Sequence, residues 1–251
     1  MHKRKFFKAG ETNEQTEWIL DSNNSDLYTA KMRKIEFAAG ESRKFAMNST
    51  EAIIVSVAGD IAYKLDGEQG VAERFDAIYV TNGDICLITA LIETDILICE
   101  AAATEKYTST FVSRKNVTPV AAGAGCHSRQ VWNMVSPGGV SAERLILGYC
   151  ESIVDGGWTG WPPHEHGGNL EEIYFYYDIE GPIPSVLQIV SDDMREHTET
   201  YWAKSGDVFA ISGGFHPIVA LPGVKMKNLW FMVAVKPEDR DFGVIRLDPS
   251  Y

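Results

Sequence analysis

The chain has 251 residues, 45% hydrophobic and 23% charged, with a formal net charge of −12. That is the profile of a globular protein with room for one large or two small domains. The acidity excludes nucleic acid as a natural partner, and an anionic ligand would need local cations or a metal ion to hold it. No apolar run approaches the roughly 20 residues that span a bilayer, and the basic start Met1-His2-Lys3-Arg4-Lys5 lacks the apolar core of a signal peptide, so a cytoplasmic protein with no membrane partner is expected. The four cysteines, Cys86, Cys99, Cys126 and Cys150, show no CxxC pairing and read as reduced, buried thiols.

In chain order, a weak helical pattern near residues 12–20 is followed by short apolar segments rich in β-branched and aromatic residues. These include Ala52–Val57, Ala77–Val80, Ile85–Ala90 and Asp95–Cys99. The style returns at Glu172–Tyr177, Ser185–Val190, Asp207–Ile211 and Leu229–Val235. Gly and Pro turns separate the segments at about ten-residue spacing, which predicts an all-β sandwich or barrel. The halves share a plan. Gly40, Glu51 and Gly83-Asp84 correspond to Gly157, Glu171 and Gly206-Asp207. An internal duplication of about 100 residues is inferred, with a joint in residues 115–128 and domains at 1–120 and 121–251.

The segment Gly157–His166 carries the chemistry. Residues i and i+2 of a strand face the same way, so His164 and His166 aim both imidazoles at one point, with Glu165 opposed. The turn-forming Gly167-Gly168-Asn169 would swing the Glu171 carboxylate back towards them. His216 follows a later Gly213-Gly214 turn. Three imidazoles and a carboxylate suit one divalent ion, with Zn or Mn favoured and Fe or Ni open. Glu172 is the rival ligand to Glu171, expected to face away if Glu171 faces in. His2, His127 and His197 read as structural or exposed.

These residues resemble the cupin motifs: a glycine, HxH, four residues, a glutamate, and later a glycine-led strand ending in histidine. The stretch Trp158–His166, Leu170-Glu171-Glu172-Ile173-Tyr174, Gly214–Gly223, Leu229–Met232, Asp248-Pro249 and the run from Gly125 through Arg129 to Val131 are similar to motifs of the 5-deoxy-glucuronate isomerase family. The similarity is clear over residues 125–250. It departs at Glu165 and Gly167, where the family has Lys and Asp, and at Met232-Val233-Ala234, which lacks the family's glycine. The resemblance implies a bicupin, two double-stranded β-helix (jelly-roll) barrels in tandem. It implies a metal in the second barrel and aldose–ketose isomerisation of a deoxy uronic acid in inositol catabolism.

In the first half, Phe45-Ala46-Met47-Asn48 stands where metal histidines would be, so that barrel is expected to be structural and oligomer-forming. A homo-oligomer acting on a small sugar acid is the expected assembly. Glu172, Tyr174, Lys204 and metal-bound water are candidate bases. Arg195, Lys204, Lys225 and Arg240 are candidate partners of a substrate carboxylate. Trp158, Trp161 and Trp202 could floor a sugar pocket. The competing readings are a cupin dioxygenase, a divergent cupin acting on another sugar acid, and a non-catalytic sugar-binding cupin.

Overall fold

Strand Thr50–Ala58 is buried on both faces, and it marks the layer plan of the whole chain in this computed structural model. Ile54 and Ala52 point into the interior of the first half, while Ile53, Val55 and Val57 point away from it, into a second core shared with the other half. A strand covered on both faces reads as a continuous apolar run, as Ala52–Val57 does. The structure describes residues 5–11, 18–181, 183–192, 197–241, 243 and 245–251. Within them there are strands and three single 3₁₀ turns and no α-helix. No helix there is long and apolar enough to cross a membrane.

The first half places Thr50–Ala58 in a six-stranded antiparallel sheet with Thr110–Val112, Ala77–Val80, Thr94–Ala102, Lys31–Phe37 and Trp18–Leu20. A four-stranded sheet of Ser42–Ala46, Ile85–Ala90, Ile61–Lys64 and Gln69–Ala72 faces it. Between them lies an apolar core that includes Phe45, Met47, Ile61, Ile88 and Ile98. The second half repeats the plan. Its large sheet runs Val208–Ile211, Leu170–Tyr176, Lys227–Ala234, Leu145–Ser152, Arg129–Val135 and Val120–Ala122. Its smaller one joins Trp158–Thr159, Ile218–Ala220, Val186–Ser191 and Thr198–Ala203. The two large sheets pack back to back through Leu97, Tyr79, Leu147, Tyr149, Ile173 and Phe231.

Part of the proposed helical segment, residues 12–17, lies outside the described residues, and Trp18–Leu20 is a strand on the edge of the first large sheet. Strand pairing crosses the division at residue 120 at two places. Phe6–Phe7 pairs with Val208–Ile211 at the edge of the second half's sheet, with Phe7 only 2% exposed in the shared core. Val120–Ala122 already pairs with Arg129–Val135. The N-terminal strand crosses over because an unpaired Val208–Ile211 edge would leave backbone groups open, and two phenylalanines cover it.

Two buried carboxylates tie the halves together. Glu51 accepts the backbone N–H groups of Glu143 (2.9 Å), Arg144 (2.7 Å) and Leu145 (2.9 Å), and the Tyr79 hydroxyl (2.6 Å). Glu171 accepts those of Tyr28 (2.5 Å), Thr29 (2.9 Å) and Ala30 (2.9 Å), and the Thr29 hydroxyl (2.6 Å). Each reaches from the start of its own central strand into the other half, so the duplication read from sequence is repeated in their hydrogen bonds.

Candidate metal centre

The centre is built on strand alternation. In Leu170–Tyr176 the set Leu170, Tyr174 and Tyr176 faces the interior of the second half, while Ile173 and Phe175 face the first half. Glu172 belongs to the first set by its spacing and Glu171 to the second. The Glu172 carboxylate accordingly lies 3.3 Å from His166 Nε2 and 3.1 Å from His216 Nε2. Glu171, the ligand expected from sequence, is turned to the other face of the sheet and bound to the backbone of residues 28–30.

The three histidines do converge. The ligand atoms of His164, His166 and His216 lie within 4.8 Å of one another. His164 is held in the short strand His164–Glu165, which pairs with Arg246–Leu247, while Glu165 turns outward to an ion pair with Arg246. The turn beyond is closed by Asn169 N–H donating to His166 O at 3.0 Å. Gly167 and Gly168 there both have positive φ (61° and 76°), a conformation that a side chain would strain. His216 follows the bridge between Ser191 and Phe215, and its carbonyl accepts from Gln188 Nε2 at 3.2 Å.

The donor set fits a cation. His164 Nδ1 donates to Pro162 O (3.0 Å) and His216 Nδ1 donates to Gly214 O (2.7 Å). Because a carbonyl can only accept, Nδ1 carries a proton in both rings and Nε2 faces inward, the arrangement that backbone carbonyls impose on metal-binding histidines. Glu172 Oε2 and His216 Nε2 are buried and lack hydrogen-bond geometry to any described residue. Burial by itself raises a carboxyl, but His166 and His216 outweigh it and hold Glu172 well below the usual carboxylate range. Burial, then His216, pushes the His164 imidazole down to about 4. Neutral imidazoles around an ionised carboxylate are what an ion of this class requires.

A cavity of about 90 Å³ opens from His164 and Glu172 past Tyr174 and Trp230. Burial, then Glu172, raises the Tyr174 phenol far above its ordinary value, so it keeps its proton. Of the other sequence candidates, Lys204 and Lys225 are exposed away from the cavity. Arg240 is spent on the carbonyls of Leu145 and Val140 (both 2.9 Å), and Arg195 and His2 lie outside the described residues. Trp161 packs between Trp158 and Tyr251 and Trp202 is half exposed, so Trp230, unremarked in the sequence, is the indole that lines the cavity. His127 caps its own turn through Ala124 N–H, and His197 is exposed. In the first half, Ala52 is the counterpart of Glu172, one residue after Glu51, and apolar side chains fill the space of the imidazoles.

A sequence model of the KduI/IolB family matches residues 5–244. Over 219 residues the chain is 28% identical to a 5-deoxy-glucuronate isomerase of Bacillus licheniformis, covering 79% of each. A 5-deoxy-glucuronate isomerase of Geobacillus kaustophilus is also 28% identical over 204 residues, covering 74% of this chain and 72% of that one. Among solved structures, an IolB-like protein from Salmonella typhimurium LT2 superposes with a TM-score of 0.85 at 20% identity, over 98% of this chain and 97% of that one. The oxalate decarboxylase of Lactobacillus farciminis superposes at 0.68 with 10% identity, over 94% and 89%. Together with the two sheet pairs described above, these likenesses make the fold an all-β bicupin.

Proposed function

The chain belongs to the KduI/IolB family, and from that premise we propose that it is a metal-dependent aldose–ketose isomerase converting 5-deoxy-glucuronate to 5-dehydro-2-deoxy-gluconate in inositol catabolism. One observation carries the reading: His164, His166, His216 and Glu172 converge at the end of a cavity, two of the rings with Nε2 fixed inward. These four residues would hold one divalent ion. Zn or Mn suits the donor set, and Fe or Ni is also compatible with it.

Such an ion, when bound, supplies Lewis-acid stabilisation of negative charge on neighbouring carbonyl and hydroxyl oxygens, worth several kcal/mol. The chain's own groups do the rest. Isomerisation moves a proton between adjacent carbons while charge builds on oxygen. Tyr174, one turn of the pleat from Glu172 and still protonated, donates its O–H to an oxygen in the cavity. Trp230, Val131 and Met232 wall the cavity and keep bulk water from the reacting carbons. Lys204 is too remote to serve as the base.

The test is metal analysis followed by assay. Purified chain is expected to carry close to one ion, to convert 5-deoxy-glucuronate to the ketose by NMR, and to lose that turnover on chelation and regain it on reloading. A metal-loaded chain inert towards 5-deoxy-glucuronate would refute the assignment.

A further inference from the structure

The cavity has a second polar region, separate from the histidines. Registers Glu172↔Met232, Tyr174↔Trp230 and Tyr176↔Asn228 place Asn228 four residues along its strand from Met232, or about 13 Å at strand rise. Thr159 enters from the facing sheet, and Arg129 from strand Arg129–Val135, two places along the large sheet from the strand of Asn228. Thr159 and Asn228 are 1% and 2% exposed, yet Thr159 Oγ1 and Asn228 Oδ1 have no hydrogen-bond partner among the described residues. A buried polar atom left unpaired costs about 1–3 kcal/mol, so two beside one cavity mark places where a ligand's hydroxyls complete the bonding.

Arg129 adds charge to this end. Among the described residues lining the cavity it is the one arginine or lysine, and no described carboxylate pairs with it. Its guanidinium is positioned from behind: Nη1 donates to His127 O at 3.1 Å. Gly123, at φ +75°, leaves it room, because a Cβ there would lie 2.9 Å from Nη1 and 2.2 Å from His127 O. In a chain of net charge −12, a guanidinium with no carboxylate partner at this end of the cavity is the local feature that would attract an anion.

We propose that Arg129 binds the carboxylate of the substrate, with Asn228 and Thr159 taking hydroxyls between it and the histidine cluster. This rests on the uronate-isomerase reading for the direction in which the substrate lies. The placement makes Arg129 a specificity determinant: it selects an acid over the corresponding neutral sugar.

Calorimetric titration of metal-loaded chain with D-glucuronate and with D-glucuronamide, its neutral isostere, tests the assignment. The unaltered chain is expected to prefer the acid by about tenfold or more, the scale of one charge-assisted pair. Arg129→Met should abolish that preference while leaving glucuronamide binding and metal content unchanged, and Arg129→Lys should restore part of it. Preference for the acid that survives in Arg129→Met, or that is missing from the unaltered chain, would overturn the proposal. The isomerase reading fails separately: a chain that prefers glucuronate through Arg129 but does not turn over 5-deoxy-glucuronate keeps its carboxylate anchor and loses that activity.

Discussion

Glu171 and Glu172 are neighbours in one strand, and their carboxylates serve opposite sides of it. Glu172 meets His166 and His216 inside the second half, while Glu171 binds the backbone of Tyr28, Thr29 and Ala30 in the first. One peptide unit separates a carboxylate beside the histidine cluster from a brace between the halves.

Amide substitution should divide these roles. Glu172→Gln removes the anionic donor, so metal content by mass spectrometry is expected to fall well below one per chain with little change in thermal stability of the metal-free protein. Glu171→Gln is expected to retain the metal and lose about 2 kcal/mol, because hydrogen bonds to a charged acceptor are each worth about 1.5–3 kcal/mol and an amide keeps only some of them. The reverse pattern would restore Glu171 as the ligand.

Glu51 makes the matching brace from the other half, and it lies far from the cavity by sequence and by lining. Glu51→Gln should therefore lower stability by a similar amount, about 2 kcal/mol in a denaturant titration, with metal affinity and turnover unchanged. Loss of metal without loss of stability would show that the first half contributes to the centre.

Acid should destabilise the metal-free protein through His164. Its imidazole is lowered to about 4 in the fold by burial and by His216, against about 6.5 in an unfolded chain. Above pH 6.5 both states are neutral and the residue contributes nothing to the slope. Between pH 6.5 and 4 the unfolded chain takes up a proton that the folded site refuses, so stability falls with pH, by about 3 kcal/mol at most. His164→Gln should flatten that part of the stability profile. An unchanged slope in the variant would mean that His164 titrates normally.

Thiol labelling should report the fold. Cys126 is exposed, whereas Cys86, Cys99 and Cys150 are buried. Burial pushes the Cys86 and Cys150 thiols up to about 12 and raises Cys99 as well, so at pH 8 their thiolate fractions are negligible. One cysteine should react rapidly with iodoacetamide and three only on unfolding. Rapid labelling of Cys150 would show that the cavity it lines opens to solvent.

The duplication, the all-β plan and the three histidines were legible because period-two alternation and Gly turns are local properties. Cys126 was missed as an exposed thiol because it lies in the joint, where no periodicity sets burial. That Glu172 and not Glu171 would lie beside the histidines was not legible for a more instructive reason. Both faces of Leu170–Tyr176 are buried, so hydropathy gives no phase to the strand. The phase was nonetheless present in the repeat. Glu51 persists in the half that lacks a histidine cluster, so its counterpart Glu171 has work that needs no metal. Ala52 stands where Glu172 does, and the carboxylate disappears together with the imidazoles. Arg129 carried no signal beyond its place in a motif, because only the sheet register brings it to the cavity.

Phe6–Phe7 pairing with Val208–Ile211 has a consequence for biosynthesis. Phe6–Phe7 has its berth against a strand that lies some two hundred residues later in the chain. That pairing therefore cannot form until both segments have been translated. Loops of that length close slowly. Until then the two phenylalanines stay without the strand that Val208–Ile211 offers them.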